Sequence, residues 1–249
     1  MTVRAKKRLG QHFLHDPAVI RKLIDAIRPQ PTDIMVEIGG GPGALTAPLV
    51  ERLERLHVVE IDRDLAAALP TRVAHPQRLV VHEADALRFD FGALAAGART
   101  LRVVGNLPYN ISTPLLFHLA RFADRVRDMH FMLQREVVER MVAKHSTPEY
   151  GRLSVALQAR FAMKKLFNVG SGAFRPPPKV DSAVVRLEPL AKPLAVNEDL
   201  LRKAFSARRK TLRNALPGLD FAAAGIDGGL RPENLSPADY ARLSMNSIL

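Results

Sequence analysis

Apolar and polar positions follow two rhythms along this chain: short solid apolar runs, and longer stretches with apolar residues three or four apart. The solid runs read as buried strands and the spaced stretches as amphipathic helices. Strands are expected at Ile34–Ile38, His57–Ile61, Leu79–His82, Leu101–Gly105 and Met129–Leu133. Between them, Leu45, Leu49, Leu53 and Leu56 form a stripe that predicts a helix over about 44–56. Asp62–Leu69 predicts a shorter helix, Arg135–Lys144 another, and Ser112-Thr113-Pro114 opens one that carries Leu115, Leu116 and Leu119. Ahead of all these, Asp16 reads as an N-cap and Pro17 as the first position of a helix with Ile20, Leu23, Ile24 and Ile27 on one face. Strands alternating with helices build a mostly parallel sheet covered on both faces, an α/β doubly wound architecture.

The rhythm changes after Tyr150-Gly151. A helix over Leu153–Arg160 precedes a strand near Lys165–Val169, a Gly- and Pro-dense loop at Gly170–Asp181 and a last strand at Ala183–Leu187. That strand is expected to hairpin with the one before it, which makes it the antiparallel member of the sheet. Glu188–Val196, with Pro189 and Pro193, reads as a linker, and only helical patterns follow, at Asn197–Leu216 and Pro237–Ile248. Two domains are expected: an α/β domain over 1–188, with 1–15 as a basic N-terminal arm, and a small all-α domain over 189–249.

Charge changes the picture next. The 249 residues are 47% apolar, enough for a full core, yet carry a net charge of +12 and a pI near 10.5. That balance favours a polyanionic partner, nucleic acid before membrane. The absence of cysteine excludes disulfides, thiol nucleophiles and Cys-based zinc, and permits a reducing cytosol. The histidines show no metal-ligand spacing and read as surface or partly buried side chains, so no metal is expected. No run of about 18 apolar residues occurs, so no membrane span is expected. Met1–Arg8 is basic without an apolar signal core and reads as a cytoplasmic arm, with Arg4–Arg8 as phosphate contacts. A cytoplasmic monomer is expected.

Candidate chemistry starts at the first strand end. Ile34–Ile38 runs into Gly39-Gly40-Gly41-Pro42-Gly43, a turn that bends sharply and lets a ligand approach the backbone. Such a turn also serves NAD or FAD, so it does not name its ligand. Glu37 ends this strand, Glu60 the next, and Asp85 follows the third. Glu60 is placed to accept from a ribose diol and Asp85 from an exocyclic adenine amine. Three acids on one sheet edge suit a cationic sulfonium, as in S-adenosylmethionine (SAM), better than a pyrophosphate. The fourth strand ends Asn106-Leu107-Pro108-Tyr109. An adenine amine is a poor nucleophile because its lone pair is delocalised. Asn106 Oδ1 and the Leu107 carbonyl can accept both its hydrogens and aim the nitrogen. Pro108 fixes the turn, and Tyr109 gives an extruded base a face to stack on.

Several segments then occur in order: G-Q-H-F-L, E-I-G-G-G-P-G, V-V-E-I-D, E-A-D-A-L, N-L-P-Y-N-I-S-T-P-L and F-R-P-P-P-K-V-D-S-A-V-V-R-L. Together they closely resemble the KsgA/RsmA family of small-subunit rRNA adenine dimethyltransferases, over nearly the whole chain. The resemblance implies a Rossmann-like class I methyltransferase domain and SAM as donor. It implies as substrate two adjacent adenines of the 3′-terminal hairpin loop of small-subunit rRNA in the immature 30S subunit, each dimethylated at N6. His12, Leu14, Gly39, Glu60, Asp85 and Asn106 match the family's cofactor positions; Gln11, Gly41, Gly43, Ile61 and Ala86 lie in the same motifs. Asn106–Tyr109 match its catalytic motif and Phe174 its second base-stacking aromatic. Two departures stand out. The family commonly has G-P-G-x-G where this chain has G-G-G-P-G, so Pro42 removes a backbone donor, and many members carry Asn where His12 stands.

For RNA contacts, Arg202, Lys203, Arg208, Arg209, Lys210 and Arg213 crowd one expected helix with no acid among them. Arg175 and Lys179 flank Phe174 as a clamp on the target strand. Two other readings remain: an Erm-type 23S rRNA methylase, disfavoured by G-Q-H-F-L and P-P-P-K-V-D-S, and a ribosome assembly factor acting mainly by binding.

Overall fold

The computed structural model describes Lys6 and residues 9–246. The rest of the basic run Arg4–Arg8 lies outside the described residues, as does Ile248 of the last expected helix. Nine strands form among the described residues: β1 Phe13–Leu14, β2 Ile34–Ile38, β3 Leu56–Glu60, β4 Leu79–Glu83, β5 Leu101–Asn106, β6 Val126–Gln134, β7 Phe161–Val169, β8 Phe174–Arg175 and β9 Ser182–Pro189. The helices are α1 Pro17–Ile27, α2 Thr46–Arg52, α3 Arg63–Ala68, α4 Ser112–Ala120, α5 Arg135–Val142, α6 Arg152–Gln158, α7 Glu198–Ser206, α8 Leu212–Ala215 and α9 Pro237–Asn246.

Seven strands make one sheet in the order β4-β3-β2-β5-β6-β9-β7. β4, β3, β2, β5 and β6 run parallel, and β9 pairs antiparallel to β6. The order reverses direction between β2 and β5, so a crevice opens beyond their carboxyl ends. The central parallel strands are solid apolar runs because both faces are covered: Met35, Val36, Val58, Val103, Val104 and Phe131 are all buried. α1 starts as its capping residues demand, with Asp16 Oδ1 accepting from the amides of Ala18 (2.8 Å) and Val19 (3.1 Å). Its buried face is Leu23, Ile24 and Ile27.

The structure departs from the apolar pattern in three places. α2 is shorter than its leucine stripe: Leu53 and Leu56 are buried, but Leu53 is extended and Leu56 already pairs with Met35 as the first residue of β3. A buried stripe here records burial, not helix. β1 and β8 form a separate antiparallel pair, Phe13 opposite Arg175 and Leu14 opposite Phe174, too short to leave a periodic trace. The stretch expected as one helix over Asn197–Leu216 breaks at Ala207 into α7 and α8.

The chain divides into two compact units, one of 1–138 with Lys164–Glu188, the other of Glu139–Met163 with Pro189–Leu249. The expected boundary near 189 falls at one of these junctions, but the helical unit also takes Glu139–Met163, which the sequence reading left in the first domain. That second unit has its own core: Tyr150, Val155, Leu200, Leu201, Leu212, Tyr240 and Leu243 are buried together. Two buried tyrosine hydroxyls inside it find backbone acceptors, Tyr150 on Leu235 and Tyr240 on Pro232, both at 2.9 Å. Unpaired, each would cost about 1–3 kcal/mol.

Candidate active site

The glycine corner sits where β2 ends. Gly39, Gly41 and Gly43 have φ of 75°, 52° and 97°, values that side chains with a Cβ rarely adopt. The space is also tight: a Cβ on Gly40 would lie 2.7 Å from Val58 Cγ1, and one on Gly41 3.3 Å from the Phe13 ring. Glu60, at the end of β3, is 5% exposed. Its Oε2 accepts from the Gly41 amide at 3.0 Å and its Oε1 from the Asp62 amide at 2.9 Å. Burial pushes the Glu60 carboxyl above its ordinary range, while those backbone donors pull it back. Its Oε2 thus holds the glycine turn in place from the neighbouring strand.

A strap from the N-terminal side closes over this corner. Lys6 Nζ bonds both Asp62 and Asp64 at 2.7 Å, and Gln11 Nε2 donates to Asp62 at 3.2 Å. Burial raises the Asp62 carboxyl, but the bonds from Lys6 and Gln11 outweigh it and hold it below the usual carboxylate range. The strap then reaches the catalytic motif. Asn106 Nδ2 donates to the His12 carbonyl at 2.8 Å, which turns Asn106 Oδ1 away from that carbonyl. The His12 ring bonds the Pro176 carbonyl through Nδ1 at 2.8 Å, so that nitrogen carries the hydrogen. The same ring stacks on Tyr109 with centroids 5.4 Å apart and planes 27° apart. Tyr109 is anchored at its other end, its hydroxyl 2.6 Å from Ser182 Oγ. Leu107 is buried and its amide donates to Met132 O at 3.1 Å, which ties the motif to β6.

Two spaces flank the His12–Tyr109 stack. One is a cavity of about 60 Å³ walled by Leu9–Phe13, Gly39, Gly41, Glu60, Ile61 and Asn106–Tyr109. The other is a groove of about 520 Å³ lined by Gly10–His12, Tyr109, Gln134 and Pro176–Val180. Gln11, His12, Gly39, Gly41, Glu60, Ile61 and Asn106 thus meet on the cavity wall, as do Leu107, Pro108 and Tyr109.

Other expected residues fall elsewhere. Glu37 does not reach the wall: it is 1% exposed, accepts from Thr46 Oγ1 at 2.6 Å, and burial raises its pKa to about 8. Asp85 Oδ1 accepts from the Leu87 amide at 2.9 Å and shapes the turn after β4. Leu14 and Ala86 are buried, and they, Gly43 and Asp85 are absent from the wall. Of the three acids expected along the ligand edge, Glu60 alone lines the cavity. Phe174, expected as a second stacking aromatic, is 1% exposed and sits in the core with Leu14 and Leu23, because β8 turns it inward. It presents no face to a base. Arg175 and Lys179 are exposed, and Lys179 lines the groove. In the helical unit, Lys203, Arg209, Lys210 and Arg213 are exposed. Arg202 pairs with Asp199 at 2.8 Å, and Arg208 is held by Glu233 and the Pro148 carbonyl. The wall residues Leu9, Gly10 and Phe13, on the segment that Lys6 ties to Asp62, were not legible as a wall, since nothing local in the sequence links Lys6 to Asp62. No group of three His, Cys, Asp or Glu fit to hold a metal occurs among the described residues, and no helix among them is long and apolar enough to cross a membrane.

The strand order, the glycine corner and the acid at the end of β3 define a Rossmann-like domain, and its likeness to solved methyltransferases makes it a class I methyltransferase domain. The family model for ribosomal RNA adenine dimethylase matches residues 2–246. A small-subunit rRNA methyltransferase A from Aromatoleum aromaticum is 61% identical over 97% of this chain and 93% of its own length. The solved structure of a dimethyladenosine transferase from Plasmodium falciparum superposes with a TM-score of 0.79 at 27% identity, over 93% of this chain and 96% of that one. That of the 23S rRNA methyltransferase ErmE gives 0.71 at 24%, over 94% and 98%, which shows a shared fold. The chain belongs to the ribosomal RNA adenine dimethylase family. It is an rRNA adenine methyltransferase, and its fold and family imply use of SAM.

Proposed function

We propose that this enzyme dimethylates N6 of two adjacent adenines in the 3′-terminal hairpin loop of small-subunit rRNA, in the maturing 30S subunit, as a cytoplasmic monomer. The observation that carries the reading is Asn106: its amide nitrogen is occupied by His12 O, which leaves Oδ1 as the group that accepts from an amine. Glu60, Gly39, Gly41 and Gln11 would hold the cofactor, whose glycine-formed cradle a Cβ would fill. SAM, when bound, supplies an electrophilic methyl on a sulfonium. Asn106 Oδ1 and the Leu107 carbonyl draw density onto the amine nitrogen and aim it, so that positioning does most of the work. The base reaches Tyr109 from the proline-lined groove, where Lys179 meets its phosphate. His12 stacks where that base would lie, so its ring moves aside as the base enters. Lys203, Arg209, Lys210 and Arg213 hold the flanking RNA backbone.

The test is to incubate the enzyme with tritiated SAM and immature small subunits and map the label. Label in N6,N6-dimethyladenosine of that hairpin is expected. Label in large-subunit RNA moves the reading to the Erm-type alternative, and tight subunit binding without label moves it to an assembly factor.

A further inference from the structure

A row of polar side chains crosses one sheet face near the amino ends of the parallel strands. Arg102 and Asp128 are cross-strand partners on β5 and β6, and His130 and Arg186 on β6 and β9. Arg102 forms a two-pronged pair with Asp128, both bonds 2.9 Å, and also bonds Asp33 at 2.6 Å. β5 carries Arg102 here and Asn106 at its other end, about 13 Å apart at strand rise, so the row is separate from the methyl-transfer site.

The row is not closed. His130 is 1% exposed, yet neither ring nitrogen has a hydrogen-bond partner, and the buried Arg186 Nε has none either. The nearest carboxylate, Asp128 Oδ1, lies 3.9 Å from His130 Nδ1 and is taken by Arg102. Both groups line a cleft of about 350 Å³ with Arg28, Arg102 and Arg127 around it. Buried polar atoms without partners are costly and rare, so these three point to something polar in the cleft. The charges say which kind. Asp33 and Asp128 are spent on Arg102 and Arg127, and Glu188 on Arg186 at 2.7 Å, while Arg28 is exposed. What the cleft still offers is mainly donors: a guanidinium Nε, the single N–H of a neutral imidazole and the Arg28 fork. Burial drives the His130 pKa down to about 4, and Arg102, Arg186 and Arg28 add to that, while Asp128 opposes it.

We infer that this cleft is a second anion site that takes a phosphate group, held by Arg186 Nε, His130 and Arg28. Guanidinium and imidazole donors match phosphate oxygens in charge and geometry. A bound phosphate also offsets the positive field of Arg102, Arg186 and Arg28 at His130, while burial, the larger cause of its lowered pKa, stays in place. The phosphate comes either from an RNA backbone or from a free anion.

The test is a titration of the histidine-¹⁵N-labelled full-length protein with inorganic phosphate and, separately, with the dinucleotide ApA, up to about 50 mM. His130 is assigned as the signal missing in His130→Gln. Its ring resonances are expected to shift saturably, and Arg186→Ala, its other histidine signals unchanged, is expected to weaken this at least tenfold. Saturation by ApA identifies the backbone source, and by inorganic phosphate alone the free anion. If His130→Gln does not fold, ³¹P line broadening compared between the unaltered protein and Arg186→Ala reads the same site. Resonances that neither ligand moves, or a response unaffected by Arg186→Ala, overturn the inference and leave a cleft filled by water.

Discussion

Replacing Glu37 by Gln should change how the stability of the fold depends on pH. Glu37 is buried in β2 between covered faces, and its one side-chain bond is the hydroxyl of Thr46. Burial, with a smaller push from Glu60, raises its pKa from 4.5 to about 8. A raised carboxyl pKa means that the folded state favours the protonated form. Its contribution is therefore full below about 4.5 and is lost as pH rises towards about 8. A shift of that size is worth about 5 kcal/mol in total, near 1.4 kcal/mol for each pH unit crossed. Against a whole-protein stability of about 5–15 kcal/mol this is a large share. Gln keeps an acceptor for Thr46 but buries an NH₂ group, a pH-independent cost of about 1–3 kcal/mol. Glu37→Gln should thus be the less stable protein at pH 5 and gain on the parent by about 1.4 kcal/mol per unit up to pH 8. Urea unfolding followed by circular dichroism at pH 5, 6, 7 and 8 measures this, and the titration of other groups cancels in the difference. Parallel stability curves would show that Glu37 is ionised in the fold, and the reasoning from burial would fail.

Three further outcomes are expected. Asn106→Ala should lower methyl transfer by at least about 100-fold while RNA affinity stays within a few-fold; retained turnover would remove its assigned role. Arg102→Met leaves Asp128 buried without its cation, and Asp33 with Arg127 alone, and should cost about 3–5 kcal/mol in urea unfolding, whereas a loss under about 1 kcal/mol would mean that the Asp128 carboxylate is solvated. RNA affinity should fall steeply with salt, and replacing Lys203, Arg209, Lys210 and Arg213 by Gln should flatten that slope; an unchanged slope would place the phosphate contacts elsewhere.

The sequence shows the central parallel strands clearly because both of their faces are buried, and a solid apolar run has few other readings. It shows the tips of β2, β3 and β5 equally well: Gly39, Gly41, Glu60 and Asn106–Tyr109 converge on one cavity, as their strand-end positions implied. It did not show which acids face that cavity. Glu37 and Asp85 stand at strand ends as Glu60 does, yet one turns into the core and the other into a loop. Nor did it show the strap. Lys6, Gln11 and Asp62 meet across more than 50 positions, and the pair of β1 with β8 that carries His12 and Phe174 past the site has no period to read. The polar row of Arg102, Asp128, His130 and Arg186 leaves no periodic trace in the sequence, and pairing across three strands is what joins it. Local periodicity and turn chemistry thus determined the fold class and the tip motif by themselves. The direction each side chain takes, and the partner that fixes it, depend on neighbours distant in sequence, and only the packed sheet brings those together.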